Sequence, residues 1–314
     1  MPALMTHHLF GEESIERLPG GLIASEEERL AFLLANQGPD PFFFHVLTLQ
    51  LPLTQRLAHE MHSSYITKQF ESLHRAITHL PPRDAALGRA FVLGLLSHYV
   101  LDRNAHPYVY AMQWGIQAVD EDLEHAGSQV HAVIESDLDV YMVQLKRSGA
   151  TTADYPPVDE LVTTERINKV AGALIAHMAR EVYDLEISPR SFGDAVRDMQ
   201  YIYRLIEPAQ SNKSFAIQQL EGFAHRYSML GALAHRVTSE PPARTANLNH
   251  IPWEHPFTHE ESSESFPELF DRALLDYEQA AELFVEGADF VAVTRRINYS
   301  GRLLDESEIC LERD

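Results

Sequence analysis

Residues 98–135 read HYVLDRNAHPYVYAMQWGIQAVDEDLEHAGSQVHAVIE, and the placing of histidine and carboxylate within them decides the fold. His98 and Asp102 stand at i and i+4, and so do His131 and Glu135. On a helix such positions share one face, one above the other. Two ligand-type side chains so placed can grip one small cation. His106 lies one further turn beyond Asp102 and is followed at once by Pro107. His98 and His106 are separated by roughly 12 Å of helix at about 1.5 Å per residue. That is too far for one ion, so the stripe points to two neighbouring cations.

The surroundings of this stretch are apolar. Residues 83–106 read as one helix that is hydrophobic all round, with Phe91, Leu93, Leu95, Leu96, Tyr99 and Leu101, and such a helix is central and buried. Polar His98 and Asp102 inside it are costly unless they have partners. Upstream, residues 1–24 carry a helical piece that ends at Pro19-Gly20-Gly21, and 25–36 form a helix capped by Ser25. Gln37-Gly38-Pro39-Asp40-Pro41 is a sharp turn that presents Asp40 on a loop between two prolines. Residues 54–80 read as a helix bearing His59 and His62, stopped by Pro81-Pro82. Residues 118–147 form the helix of His131 and Glu135.

Beyond a polar break at 148–157, helices are expected at 158–184, 189–207 and 212–238. An irregular stretch follows at 239–262, then helices at 265–286 and on to about 298. The tail from 299 is acidic and reads as frayed. Strand-type alternation is scarce. The expected class is all-α, a multi-helix bundle built around a metal cluster with additional C-terminal helices. Residues 1–150 form the helical core, and 151–314 an additional helical region packed on it or standing as a separate subdomain.

With 314 residues, 45% of them hydrophobic, the chain can bury a sizeable core. The single cysteine, Cys310, excludes an internal disulfide framework and fits a reducing cytoplasm. No apolar run approaches the ~20 residues of a membrane span, and the start has no secretory pattern. The expected location is cytoplasmic. A formal net charge of −21 argues against nucleic-acid polymers as partners, because their binding needs phosphate neutralisation by Lys and Arg. Ligating carboxylates account for part of that acidity if cations are bound. Of the 17 histidines, eleven fall in residues 1–131.

Imidazole and carboxylate together suit zinc, which takes nitrogen and oxygen ligands in roughly tetrahedral sites. Histidine-rich ligation fits zinc better than magnesium. The central stretch supplies three histidines and two carboxylates. Asp40 and His62 extend the set, although His59 lies on nearly the same face as His62. His7 is a further candidate, with His8 beside it. A ferritin-like di-iron bundle would need Glu-x-x-His pairs, and the pattern here is His-x-x-x-acid instead. Phe42–Phe44 read as core, and His250, Trp253 and His255 as either a flap or a packed loop.

In order and spacing, Thr6-His7, Gln37-Gly38-Pro39-Asp40, His62, Ser97-His98-Tyr99-Val100-Leu101-Asp102, His106-Pro107 and His131-x-x-x-Glu135 resemble the zinc-dependent phospholipase C family, related in fold to fungal zinc nucleases. The likeness covers residues 1–140, and the Asn247–Pro256 stretch is similar to what bacterial intracellular-type members carry. The resemblance implies one zinc on Asp40, His62, His98 and Asp102, and a second on His106, His131 and Glu135. It implies a third on His7 and Asp102 with the amino-terminal residue's amine and carbonyl, giving two or three ions in all. Asp40 carries over as the residue that orients or deprotonates the attacking water.

There are departures from the pattern. Secreted members begin with a zinc-binding tryptophan, whereas this sequence begins Met1-Pro2. Choline-binding members place a tyrosine after the metal aspartate and a glutamate near the start, where Pro41 and Leu4 stand here. The implied activity is hydrolysis of a phospholipid or other small phosphate ester, without choline selectivity. The alternatives are a zinc phosphomonoesterase or nuclease acting on small nucleotides, and a non-catalytic helical protein stabilised by metal. The sequence does not reveal the oligomeric state.

Overall fold

Glycine 94 allows a close helix crossing in the molecule's centre. In the computed structural model, which describes residues 4–211, 214, 227–287 and 289–310, this glycine faces the backbone of a helix from much earlier in the chain. A Cβ built at Gly94 would stand 2.2 Å from the Phe32 carbonyl oxygen. Helix α2 (Glu26–Ala35) therefore lies almost in contact with α5 (Pro82–Val119). One turn after Gly94, on the same face, comes His98. Gly94→Ala is expected to cost about 1–3 kcal/mol through overpacking. Denaturant unfolding checks this, and an unchanged midpoint would show that the two helices have room to spare.

The fold is all-α, with eleven α-helices and one two-stranded antiparallel ribbon among the described residues. Helices α1 (Leu4–Arg17), α3 (Leu51–Ser63), α4 (Ile66–Thr78), α6 (Gly127–Lys146) and α7 (Glu165–Tyr183) follow the expected order. Then come α8 (Ser191–Ile206), the short α9 (Met229–Leu233), α10 (Phe266–Glu286) and the short α11 (Phe290–Thr294). Strands β1 (Trp253–Glu254) and β2 (Glu261–Ser262) lie within the 239–262 stretch. Helix α5 is the axis, and α1, α2, α4, α6, α7 and α10 all pack against it. One continuous apolar core runs from Leu4 to Leu304. No described helix is long and apolar enough to cross a membrane.

Several boundaries depart from the sequence reading. Helix α5 does not stop at residue 106 but continues through Pro107 to Val119. Proline removes the donor that would reach the Arg103 carbonyl, and the loop at Gly301 packs against Pro107 and that carbonyl. The helix carrying His131 begins at Gly127, after a 3-10 turn at Glu121–Leu123. The segment expected at 54–80 is two helices, broken at Tyr65 with φ +57°. Glu308 causes the break: its backbone carbonyl accepts from the Tyr65 amide and its carboxylate from the Thr67 amide. The tail from 299 is accordingly not frayed in its first part, because Tyr299 and Glu308 are buried. Most of the helix expected at 212–238 lies outside the described residues.

A buried ion triad ties α6 to the segment after α8. His235 places Nε2 2.9 Å from Asp139 and Nδ1 2.6 Å from Glu207. Burial alone would lower its pKa, but the hydrogen bonds to both carboxylates raise it to about 10. The folded chain thus holds the imidazolium more tightly than the unfolded chain does. That stabilisation is complete below pH 6.5 and is lost as pH rises through about 10. The melting temperature of the wild type is expected to fall relative to His235→Gln across this window. Parallel pH dependences of the two proteins would contradict the assignment.

Candidate metal centre

Four histidines in the interior have one ring nitrogen fixed by an oxygen acceptor. His98 Nδ1 is 2.9 Å from the Asn36 carbonyl, reached because Gly94 lets α2 approach. His62 Nδ1 is 2.7 Å from the Ala58 carbonyl, and His106 Nδ1 is 2.9 Å from the Tyr299 carbonyl. His131 Nδ1 is 2.9 Å from the Gln113 side-chain oxygen. A carbonyl only accepts, so each Nδ1 carries the proton and Nε2 is the nitrogen turned toward the cluster.

Those Nε2 atoms face carboxylates. His98 Nε2 lies 3.2 Å from Asp102 Oδ2 and 4.0 Å from Asp40 Oδ2. His62 Nε2 lies 3.2 Å from Asp40 Oδ1 and 4.0 Å from Asp102 Oδ2. His7 Nε2 lies 3.1 Å from Asp102 Oδ1, with its ring stacked on His98 at 4.0 Å. Further along α5, His106 Nε2 is 3.2 Å and His131 Nε2 3.3 Å from the same Glu135 oxygen. Each such contact needs a positive charge between nitrogen and oxygen, either a proton on Nε2 or a bound cation. His98 Nε2 and Asp40 Oδ1 are buried and make no hydrogen bond despite these close neighbours.

Three groups bring their ligand atoms within 4.8 Å of one another: His7, Asp40 and His98; His62, His98 and Asp102; and His106, His131 and Glu135. All eight residues singled out in the sequence therefore meet in one buried cluster. Asp102 is its hub, and a cavity of about 20 Å³ bounded by His7, Asp102, His106 and Glu135 lies beside it. That volume suits roughly one water-sized occupant.

The electrostatics match this donor set. Burial opposes ionisation of Asp40, Asp102 and Glu135, yet all three carboxyls are held below their ordinary range, Asp40 and Asp102 by the surrounding histidines and Glu135 by nearby positive charge that includes His131 and His106. Burial pushes His7 and His131 down toward the neutral imidazole. At His98 and His106 burial is outweighed by Asp102, which draws positive charge to those rings, and His106 rises to about 9. Ionised carboxylates and inward-turned imidazole nitrogens, which give up a proton when a cation binds, are the donor set zinc takes.

Local structure explains the aim of each group. Asp40 is not on a plain loop but opens a 3-10 helix, Asp40–Phe44, with Pro41 at its first turn. Gly38 precedes it at φ +55°, and a Cβ there would stand 2.3 Å from the His98 ring. Only glycine fits both the backbone and the space. Phe42 and Phe44 are core, while Phe43 packs against the His62 ring at 5.7 Å.

The neighbours that competed with the site residues point elsewhere. His8 faces Glu160 at 2.9 Å, and His59 is exposed on the outer side of α3. Trp253 packs on Tyr108 of α5, and none of His250, Trp253 and His255 belongs to the three groups.

The residues that orient the imidazoles were missed in the sequence. Asn36, Ala58 and Tyr299 act through backbone carbonyls, which leave no trace in residue type. Gln113 and Tyr110 were findable, since they follow His106 by seven and four residues on the same helical face. Tyr110 packs on His131 at 5.0 Å.

The fold and the cluster define an all-helical protein whose interior carries a zinc-type donor set. A family profile described as zinc dependent phospholipase C matches residues 6–185, more than half of the chain. The chain belongs to the zinc-dependent phospholipase C family. No curated protein and no solved structure matches it.

Proposed function

We propose that the chain is a zinc-dependent phosphoric ester hydrolase that cleaves a phospholipid or related phosphodiester and releases a phosphorylated headgroup. The observation that carries this reading is the turning of four Nε2 atoms, each ring fixed through its Nδ1, onto the carboxylates of one cluster. In this reading Asp40, His62, His98 and Asp102 hold one zinc, His106, His131 and Glu135 a second, and His7 with Asp102 a third. When bound, zinc offsets charge on phosphate oxygens and lowers the pKa of water at the site from about 15.7 toward about 7.

The chain's own residues do the rest. Asp40, held ionised, orients the attacking water and takes its proton. The water oxygen bonds to phosphorus as the ester P–O bond breaks, and the proton that Asp40 took passes to the leaving oxygen. His62 is the cluster's most exposed member, with 18% of its side chain accessible, so the ester approaches from its side. The Phe43 ring packs beside His62, and the buried Tyr299 ring backs it.

The test is to assay a phosphocholine ester, a generic phosphodiester and single-stranded DNA side by side, before chelation, after it, and after zinc is restored. Cleavage of a diester that follows the zinc supports the proposal. Cleavage of DNA alone points to a nuclease. Zinc uptake that raises the melting temperature without turnover of any ester reduces the cluster to a structural role.

A further inference from the structure

The triad of Asp139, His235 and Glu207 also reaches the metal cluster. Asp139 sits on α6 one turn beyond Glu135, with no exposed surface. Its Oδ1 accepts from the Thr6 amide at 2.7 Å and its Oδ2 from the Met5 amide at 2.9 Å. These donors belong to the first turn of α1, whose amides have no partner within the helix. Asp139 thus caps α1 from more than 130 residues away. His7 is the next residue along, and its Nε2 faces Asp102.

The same Oδ2 of Asp139 receives His235 Nε2 at 2.9 Å. Glu207 accepts both the His235 backbone amide, at 2.9 Å, and His235 Nδ1, at 2.6 Å. With a carboxylate at each ring nitrogen, both nitrogens donate, so the ring is the imidazolium and supplies the charge that a buried Asp139 needs. The Tyr203 ring stacks over it at 6.1 Å. His235 and Glu207 both lie outside residues 6–185, the span that matches the family.

We propose that His235 is a positioning residue for His7: by neutralising Asp139 it fixes the first turn of α1 and so sets how tightly the cation facing His7 and Asp102 is held. This rests on the reading that His7 holds a zinc. It gives the part of the chain beyond the family match a defined share in the metal centre.

The test compares the wild type, His7→Ala, His235→Gln and Glu207→Gln with Met178→Ala, which destabilises the core of α7. Each is loaded with zinc and titrated with competing chelators, and amide exchange at Met5 and Thr6 is followed in the same proteins. In His235→Gln one zinc equivalent should be released about 10–100-fold more readily, as for groups that orient metal ligands. Protection at Met5 and Thr6 should fall with it. Glu207→Gln, which keeps the imidazole, should shift in the same direction by less, and it carries the test if His235→Gln does not fold. Met178→Ala should melt earlier yet release zinc as the wild type does.

A zinc release profile for His235→Gln and Glu207→Gln equal to that of the wild type, or matched by Met178→Ala, overturns the inference. If His7→Ala leaves the profile unchanged as well, the third zinc position falls and the inference falls with it. If His7→Ala shortens the profile but the two triad variants do not, only the inference falls.

Discussion

Asp102→Asn is expected to lower ester hydrolysis by on the order of a thousand-fold or more, equivalent to about 4 kcal/mol of transition-state stabilisation. Asp102 is the one carboxylate approached by four imidazoles, those of His7, His62, His98 and His106. The amide keeps its shape but loses the charge, and its nitrogen turns a donor toward a would-be cation. Zinc content should fall together with activity, since the two proposed zinc positions that share Asp102 lose a common ligand. His98→Ala should behave alike. His177→Ala is the control, because His177 lies half-exposed beside Glu181, away from the cluster. Near wild-type turnover in Asp102→Asn, with zinc retained, would remove Asp102 from the site.

The second large effect is expected from Glu135→Gln. One Glu135 oxygen faces both His106 and His131, at 3.2 and 3.3 Å, so the charge of this group is concentrated on a single side chain. The variant should lose one zinc equivalent, keep the zinc of the Asp40–His62 side, and lose roughly a hundred-fold to a thousand-fold in turnover, the range seen when one stabiliser of developing charge is removed. Zinc counted per chain alongside the rate checks it. Loss of every ion would show that the groups bind as one unit. Loss of none would show that His106 and His131 are held by Glu135 for structural reasons alone.

How much of this was legible follows from how far each signal reaches along the chain. The pairs His98/Asp102 and His131/Glu135 were visible because helical period alone puts their members on one face. Asp40 was visible because two prolines and a glycine mark its turn, although the sequence did not reveal that it opens a 3-10 helix. Tyr299 was hidden: it sits in an acidic tail, and its part is played by a backbone carbonyl and a buried ring. The break at Tyr65 was hidden for the same reason, since Glu308, more than 200 residues later, supplies the oxygens that cap α4. Pro107 misled in the opposite direction. Its lost hydrogen bond is tolerated because tertiary packing on both sides holds α5 in line. The His235 triad left only a lone histidine in the sequence, and its meaning depends on two carboxylates that the fold brings to it.

The measurement that bears most directly on the central claim is diffraction from zinc-loaded crystals recorded on both sides of the zinc absorption edge. The account predicts anomalous peaks among Asp40, His62, His98 and Asp102 and between His106, His131 and Glu135, each within about 2.0–2.2 Å of imidazole nitrogen or carboxylate oxygen. Density without a peak at either place, in a protein shown to be folded and exposed to zinc, would contradict it.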